Sequence, residues 1–237
     1  MPIIHRVQDV DGFPATSEAL DYPNGLLAVG GELSSQRLIT AYQRGIFPWY
    51  EEPQPVMWWS PDPRSVLFPA ELHISRSLRK TLRQNRFSLS VDRHFEGVLD
   101  GCAAARRDGP GTWIGEAMKL AYARLHEQGI AHSIEVLNTS GELVGGLYGV
   151  ALGRIFFGES MFSIETDASK VALVGLVDIL TRGGFQLIDC QVESEHMNQL
   201  GARNLDRLDF EQWLAHTTGM ETDADIWQLP DQCGTLA

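Results

Sequence analysis

Three polar side chains fall inside segments that otherwise read as buried strands. In "GFQLIDCQVESEH" (184–196), Asp189 and Gln191 interrupt Leu187, Ile188, Cys190 and Val192; in "RIFFGESMFS" (154–163), Glu159 interrupts Phe156, Phe157, Met161 and Phe162. Side chains alternate along a strand, so Leu187, Asp189 and Gln191 share one face of the first segment. By the same rule Phe157, Glu159 and Met161 share one face of the second, with Phe156, Gly158, Ser160 and Phe162 opposite. Burying such groups is unfavourable unless they find partners. Two readings follow: polar groups satisfied at a bulge or sheet end, or a reactive site on rigid scaffolding. A carboxylate and an amide aimed the same way could bind and orient an amine, and Gly158 allows close approach of a backbone or ligand.

The segment joining these strands, "DASKVALVGLVDILTRGG" (167–184), predicts a helix with Asp167 as N-cap and Gly183-Gly184 at its end. Leu173, Leu176 and Leu180 recur on it at helical spacing. That pattern serves a plain core, or equally an apolar pocket floored by Met161 and rimmed by Glu159, Asp189 and Gln191.

The chain has 237 residues and a net charge of −12, yet "RSLRKTLRQNR" (76–86) holds five basic residues and no acid. Arg76, Arg79, Lys80 and Arg83 fall on one helix face, with Arg86 just beyond. They form either a solvated face or a local positive field suited to phosphates. Trp49 and Trp113 could stack on bases, or Trp49 could be buried at a domain junction. Three well-separated cysteines without CxxC argue against a disulfide framework and a thiolate zinc site, and the seven histidines form no HExxH or comparable pair. No run approaches a membrane span, and the N-terminus lacks signal-peptide character, so a cytoplasmic protein is expected. Cys190 with His196 is a weak thiol–base imitation, because Cys190 falls on the apolar strand face. "GES" is not the GxSxG of a serine hydrolase.

A short helix is predicted after Gly30-Gly31, capped by Ser34 or Ser35 and stopped by Gly45. Pro53, Pro55, Pro61 and Pro63 are read as forbidding helix or central strand in a tryptophan-rich junction. "RSVLF" and "FSLSV" predict strands, with Ser75 capping a helix between them. "HFEGVLDGCAAARR" and a segment capped by Thr112 and ended by Gly129 predict helices, and three neighbouring strands follow from His132. The expected class is α+β around a mixed sheet: a small N-terminal domain over 1–64, then a larger one over 65–237 whose acidic tail from about 214 has no assignment.

The ordered set "PNGLLAVGGELS", "AYQRGIFPWY", "WWSPDPRSVLFP", "LHISRSLRK", "GTWI", "AHSIEV", "ELVGGLYGVALG", "FFGESMFS", "ASKVAL" and "LIDCQV" resembles the bacterial leucyl/phenylalanyl-tRNA–protein transferase family from about Phe13 to about Phe210. The resemblance implies a larger domain similar to the GCN5-type acetyltransferase fold. It implies transfer of leucine, phenylalanine or methionine from aminoacyl-tRNA to proteins beginning with Arg or Lys, marking them for degradation, without metal or diffusible cofactor. It places the catalytic pair at Asp189 and Gln191, with Glu159 beside them. The side-chain pocket falls on Leu147, Phe156, Gly158, Met161, Leu173, Leu176, Leu180 and Ile188. Trp49 and Trp113 fall at the tRNA's terminal adenosine, and the basic residues Arg76, Arg79, Lys80, Arg83 and Arg86 are expected to meet its phosphates. One departure is that the family's basic pair after "SRS" reads Arg83-Gln84 here.

An aminoacyl ester is already activated, so catalysis mainly needs positioning and removal of a proton from the incoming ammonium. A free Asp titrates near ~3.9 and an α-amine near ~7.7 to 8, so Asp189 is expected to bind and orient the amine while Gln191 holds the geometry. Two rivals stand beside this: an acyl-CoA-dependent acetyltransferase, disfavoured by the acidic "SIETDASK" where a glycine-rich pyrophosphate turn belongs, and a non-catalytic tRNA- or peptide-binding adaptor. A monomer is the default expectation.

Overall fold

The structure is a computed structural model and describes residues 4–7, 12–107, 114–230 and 232–237. The strands are β1 (His5–Arg6), β2 (Leu26–Val29), β3 (Phe47–Pro48), β4 (Met57–Trp59), β5 (Arg64–Leu67), β6 (Ser88–Val91), β7 (Ala131–Leu137), β8 (Leu143–Leu152), β9 (Ile155–Ser163), β10 (Leu187–Gln191) and β11 (Arg203–Leu205). The helices are α1 (Ser35–Gln43), α2 (Arg76–Arg83), α3 (Phe95–Arg107), α4 (Glu116–Glu127), α5 (Ala168–Arg182), α6 (Glu195–Gln199) and α7 (Arg207–Thr217). Among the described residues, no helix is long and apolar enough to cross a membrane.

Two sheets result, a small one ordered β1-β2-β4-β3 and a larger one ordered β11-β5-β10-β9-β8-β7-β6. The expected mixed α+β architecture is therefore present. Among the described residues, β9 and β10 are the only pair of the larger sheet that runs parallel. The parallel step follows from α5, which carries the chain from the end of β9 back to the start of β10. One face of the sheet is covered by α1, α3, α4 and α7 with the small sheet, through a core that includes Leu38, Tyr42, Trp58, Phe157, Leu187 and Phe210. The other face is covered by α2, α5 and the C-terminal segment, through Leu78, Leu82, Phe156, Leu173, Ile188 and Cys233.

Local signals act as anticipated at several ends. The Ser34 hydroxyl accepts from the Arg37 N–H at 3.4 Å and the Ser75 hydroxyl from the Leu78 N–H at 3.2 Å, each satisfying a helix-end donor. Asp167 occupies the cap of α5, but its carboxylate accepts from Thr81 Oγ1 at 2.9 Å and Lys170 Nζ at 3.1 Å, tying α5 to α2 instead of capping the backbone. Helix α4 begins three residues later than a Thr112 cap requires, with Gly115 at its cap; Thr112 lies outside the described residues.

One expectation is corrected. The proline-rich junction does contain a central strand, β4, flanked by β2 and β3. It fits because residues 56–60 hold no proline, so their N–H groups remain available to both neighbours. Residue 64 opens β5 of the larger sheet, and the first core draws on residues from Val7 to Leu214. The tail left without assignment folds back: α7 runs through Thr217, and the remainder returns over α5. There Trp227 stacks on His132 with ring centroids 3.6 Å apart, Gln232 bridges to Ser88 of β6, and Cys233 is buried against α2.

Candidate active site

The site lies where β9 and β10 part. They pair in register only from Ile155–Leu187 to Phe157–Asp189, and both strands bulge directly afterwards. On β9, Gly149 opposes Gly158 and Tyr148 opposes Ser160, leaving Glu159 as the extra residue. Gly149 is needed for this, since a Cβ there would sit 2.2 Å from the Phe157 carbonyl oxygen. On β10 the register shifts between Asp189 and Gln191, and Gln191 takes a left-handed φ of 63°. Such a conformation in a non-glycine residue costs ~1–3 kcal/mol and persists only where the surroundings impose it.

The bulges change which residues share a face. Glu159 and Met161 do not lie together as strict alternation required. Phe157 and Phe162 pack in the first core, whereas Phe156 and Met161 pack against α5 in the second. Glu159 points among the aromatic side chains of α1 and α4, while Met161 joins the apolar wall.

Between the separating strands is a chamber of about 250 Å³. Its apolar wall consists of Leu147, Phe156, Met161, Leu173, Leu176 and Ile188, with Gly158 beside them. Seven of the eight residues expected in the side-chain pocket therefore come together, Ile188 included. Leu180 does not; it is buried one turn farther along α5 in the second core. Phe47, Pro48 and Trp49 close the opposite side. Trp49 is 43% exposed, so it stands at the mouth and is not a buried junction residue. Its ring lies 5.6 Å from that of Trp59, whose indole N–H holds the Trp49 carbonyl at 2.7 Å. Trp113 lies outside the described residues.

The polar groups form one connected network. Gln191 Nε2 donates to Glu159 Oε1 at 2.8 Å, spanning the gap between the strands. Glu159 also accepts from Tyr42 Oη at its Oε1 and Tyr122 Oη at its Oε2, both at 2.7 Å. The two tyrosine oxygens are 2.6 Å apart. Burial raises the Glu159 carboxyl from 4.5 to about 7; the hydrogen bonds from Tyr42, Tyr122 and Gln191 oppose that rise, and the Asp189 charge adds to it. Burial, then the neighbouring Glu159 charge, pushes both phenols well above 10.

Asp189 is fully buried and both its oxygens are engaged. Arg64 Nε donates to Oδ1 at 2.8 Å and Arg64 Nη2 to Oδ2 at 2.7 Å, a two-pronged pair with both side chains out of solvent. Oδ1 also accepts the Gln191 backbone N–H at 2.9 Å, which holds the left-handed turn. Arg64 is itself fixed by the Gly45 carbonyl at 3.0 Å and by the Phe47 and Phe210 rings, 4.8 and 4.7 Å away. Asp189 and Glu159 both border the chamber, with the Asp189 carboxylate held by Arg64 and that of Glu159 by Tyr42, Tyr122 and Gln191.

Sequence reasoning missed Arg64, Tyr42, Tyr122 and Phe47. An arginine opening the apolar strand "RSVLF" was a usable signal, while Tyr42 and Tyr122 looked like ordinary core residues of α1 and α4. Cys190 does line the chamber, but burial and the Asp189 charge push its thiol further up, away from the thiolate a nucleophile needs. Arg76, Arg79, Lys80, Arg83 and Arg86 are all exposed, with Leu78, Thr81 and Leu82 of α2 facing inward.

Comparison with known proteins agrees with the residue pattern. The profile described as leucyl/phenylalanyl-tRNA protein transferase matches residues 66–215, and that of the family's N-terminal domain matches residues 31–62. A leucyl/phenylalanyl-tRNA–protein transferase of Syntrophobacter fumaroxidans is 58% identical over 235 residues, 99% of each chain. One of Azotobacter vinelandii is 56% identical over 218 residues, 92% of this chain and 96% of its own. Among solved structures, a GCN5-related N-acetyltransferase from Sphaerobacter thermophilus gives a TM-score of 0.39 at 13% identity, over 73% of this chain and 54% of that one, a likeness too remote to carry an argument. With both profiles matched in order and relatives more than half identical along nearly the whole length, the chain belongs to the leucyl/phenylalanyl-tRNA–protein transferase family.

Proposed function

We propose that this aminoacyltransferase moves leucine, phenylalanine or methionine from the 3′ end of its tRNA to the α-amine of a protein beginning with Arg or Lys, creating a degradation signal. The observation that carries the reading is the apolar chamber closed at its polar end by the Glu159–Gln191 bridge. Its wall suits a side chain unbranched at Cβ, and its polar end is where an ester carbonyl and an incoming amine would meet. Trp49 at the mouth offers a stacking face for the terminal adenosine, with Trp113 as a second candidate. The exposed face of α2 supplies Arg76, Arg79, Lys80 and Arg83 for phosphates, extended by Arg86.

Of the groups the resemblance assigns to catalysis, Gln191 and Glu159 face the substrates and Asp189 acts through them. The acceptor nitrogen attacks the ester carbonyl carbon, the bond to the ribose oxygen breaks, and that oxygen leaves with a proton. Juxtaposing the two substrates contributes most of the rate, since the ester needs no further activation. The protein works as a monomer in the cytoplasm, where charged tRNA is made. The acyl-CoA reading is disfavoured because Asp167 occupies the start of α5, where a pyrophosphate would have to bind.

The test is incubation with radiolabelled leucyl-tRNA and a peptide beginning with Arg, beside the same peptide with a blocked N-terminus. Label is expected only in the free-amine peptide. Binding of the tRNA without label in either peptide would contradict the enzyme and support an adaptor.

A further inference from the structure

We propose that Tyr42, Tyr122 and Glu159 form a proton-accepting ring that takes the proton the acceptor's α-ammonium must lose, with Glu159 the group that receives it and the two tyrosines as positioning residues. The inference rests on the transferase reading above.

The argument is a count of protons. Three oxygen–oxygen contacts close the ring: Tyr42 to Glu159 at 2.7 Å, Tyr122 to Glu159 at 2.7 Å, and Tyr42 to Tyr122 at 2.6 Å. Each distance is that of an O–H···O hydrogen bond and requires a proton between the atoms. Ionised Glu159 leaves only two protons, one per phenol, for three contacts. One further proton on Glu159 completes the ring, because the carboxyl then donates to one tyrosine, that tyrosine to the other, and the second back to the carboxylate's remaining oxygen. Gln191 Nε2 supplies its own proton to Oε1 and leaves the count unchanged.

The third contact therefore favours uptake of one proton, and burial acts in the same direction. Around Glu159 are Tyr42 from α1, Tyr122 from α4 and Asp189 from β10, the last paired with Arg64 of β5 and still adding to the rise, while Tyr148 of β8 packs against Tyr122. No cation contacts the Glu159 carboxylate among the described residues. An affinity for protons near neutrality matches an α-ammonium, which titrates near ~8.

The step balances. The ammonium gives one proton to Glu159 and becomes a neutral amine with a free electron pair. That pair forms the bond to the ester carbon. The second proton, shed from the nitrogen after attack, leaves on the ribose oxygen as the carbon–oxygen bond breaks. Glu159 releases its proton to solvent before the next cycle.

Tyr42→Phe and Tyr122→Phe each remove one oxygen while keeping the ring's bulk. Single-turnover transfer is measured against pH, with infrared difference spectra of the carboxyl band recorded on the same unliganded proteins. In the wild type the band and the rate should titrate together. In either Phe variant both should move to lower pH, since with one oxygen gone the remaining phenol proton serves the one remaining contact and no further proton is called for. The rate at pH 7 should fall about tenfold while KM for leucyl-tRNA stays within about threefold. Glu159→Gln should lose the band and the corresponding rate inflection. A rate profile that stays in place while the carboxyl band moves would overturn the proposal, as would an unchanged inflection in Glu159→Gln. If a Phe variant does not fold, the band and rate of the wild type and Glu159→Gln still decide it. Absence of transfer by the wild-type protein would instead overturn the transferase reading, whatever the band does.

Discussion

Gln191 Nε2 reaches across from β10 to Glu159 Oε1 on β9 at 2.8 Å, and this bond spans the opening where the parallel strand pair β9–β10 separates. The two residues come from bulges on different strands, 32 positions apart. Parallel strands joined by α5 place their polar ends side by side, and the bulges turn both side chains toward the gap. The chamber, its polar rim and the helix that walls it are thus consequences of one topological unit.

Asp189→Asn should destabilise the protein by ~3–5 kcal/mol, because Arg64 would be left as a buried cation without its counter-ion. Denaturant unfolding measures this. A loss near zero would mean that the Arg64–Asp189 pair does not hold the site together.

Met161→Trp should fill the chamber and abolish transfer of phenylalanine, with leucine transfer reduced less. Parallel assays with the two charged tRNAs check it. Undiminished phenylalanine transfer would remove Met161 from the side-chain site.

Arg79→Glu should weaken tRNA binding and flatten its dependence on salt, since one phosphate contact and its released counter-ions are lost. Binding isotherms at several salt concentrations report the slope. An unchanged slope would make α2 an ordinary solvated face.

The raised Glu159 carboxyl makes a signed contribution to stability. A group at about 7 in the folded protein and 4.5 when unfolded favours folding fully below 4.5, and that contribution is lost as pH rises to about 7. The difference is roughly 3 kcal/mol. Urea unfolding at pH 5 and pH 8 should show a larger fall for the wild type than for Glu159→Gln; equal falls would contradict the buried-acid assignment.

The elements of this fold were largely legible because their signals are local: Ser34 and Ser75 at helix starts, the alternating β6, and the apolar period of α5. The pocket wall was legible too, through leucines spaced along one helix and motifs matched in order. What eluded the sequence depends on strand irregularity and long-range pairing. Nothing adjacent to Glu159 announces the bulge that separates it from Met161, and nothing near Asp189 points to Arg64, 125 residues earlier. Tyr42 and Tyr122 carry no local mark of function, since their hydroxyls matter only once α1 and α4 converge on β9.

The most direct test of the site is single-turnover transfer of leucine by Glu159→Gln and Gln191→Ala at saturating leucyl-tRNA, with tRNA affinity measured alongside. The account predicts that both variants bind tRNA within about threefold of the wild type and that Glu159→Gln loses at least about a hundredfold in rate, Gln191→Ala at least about tenfold. Transfer at the wild-type rate in either variant would place bond formation away from the Glu159–Gln191 bridge.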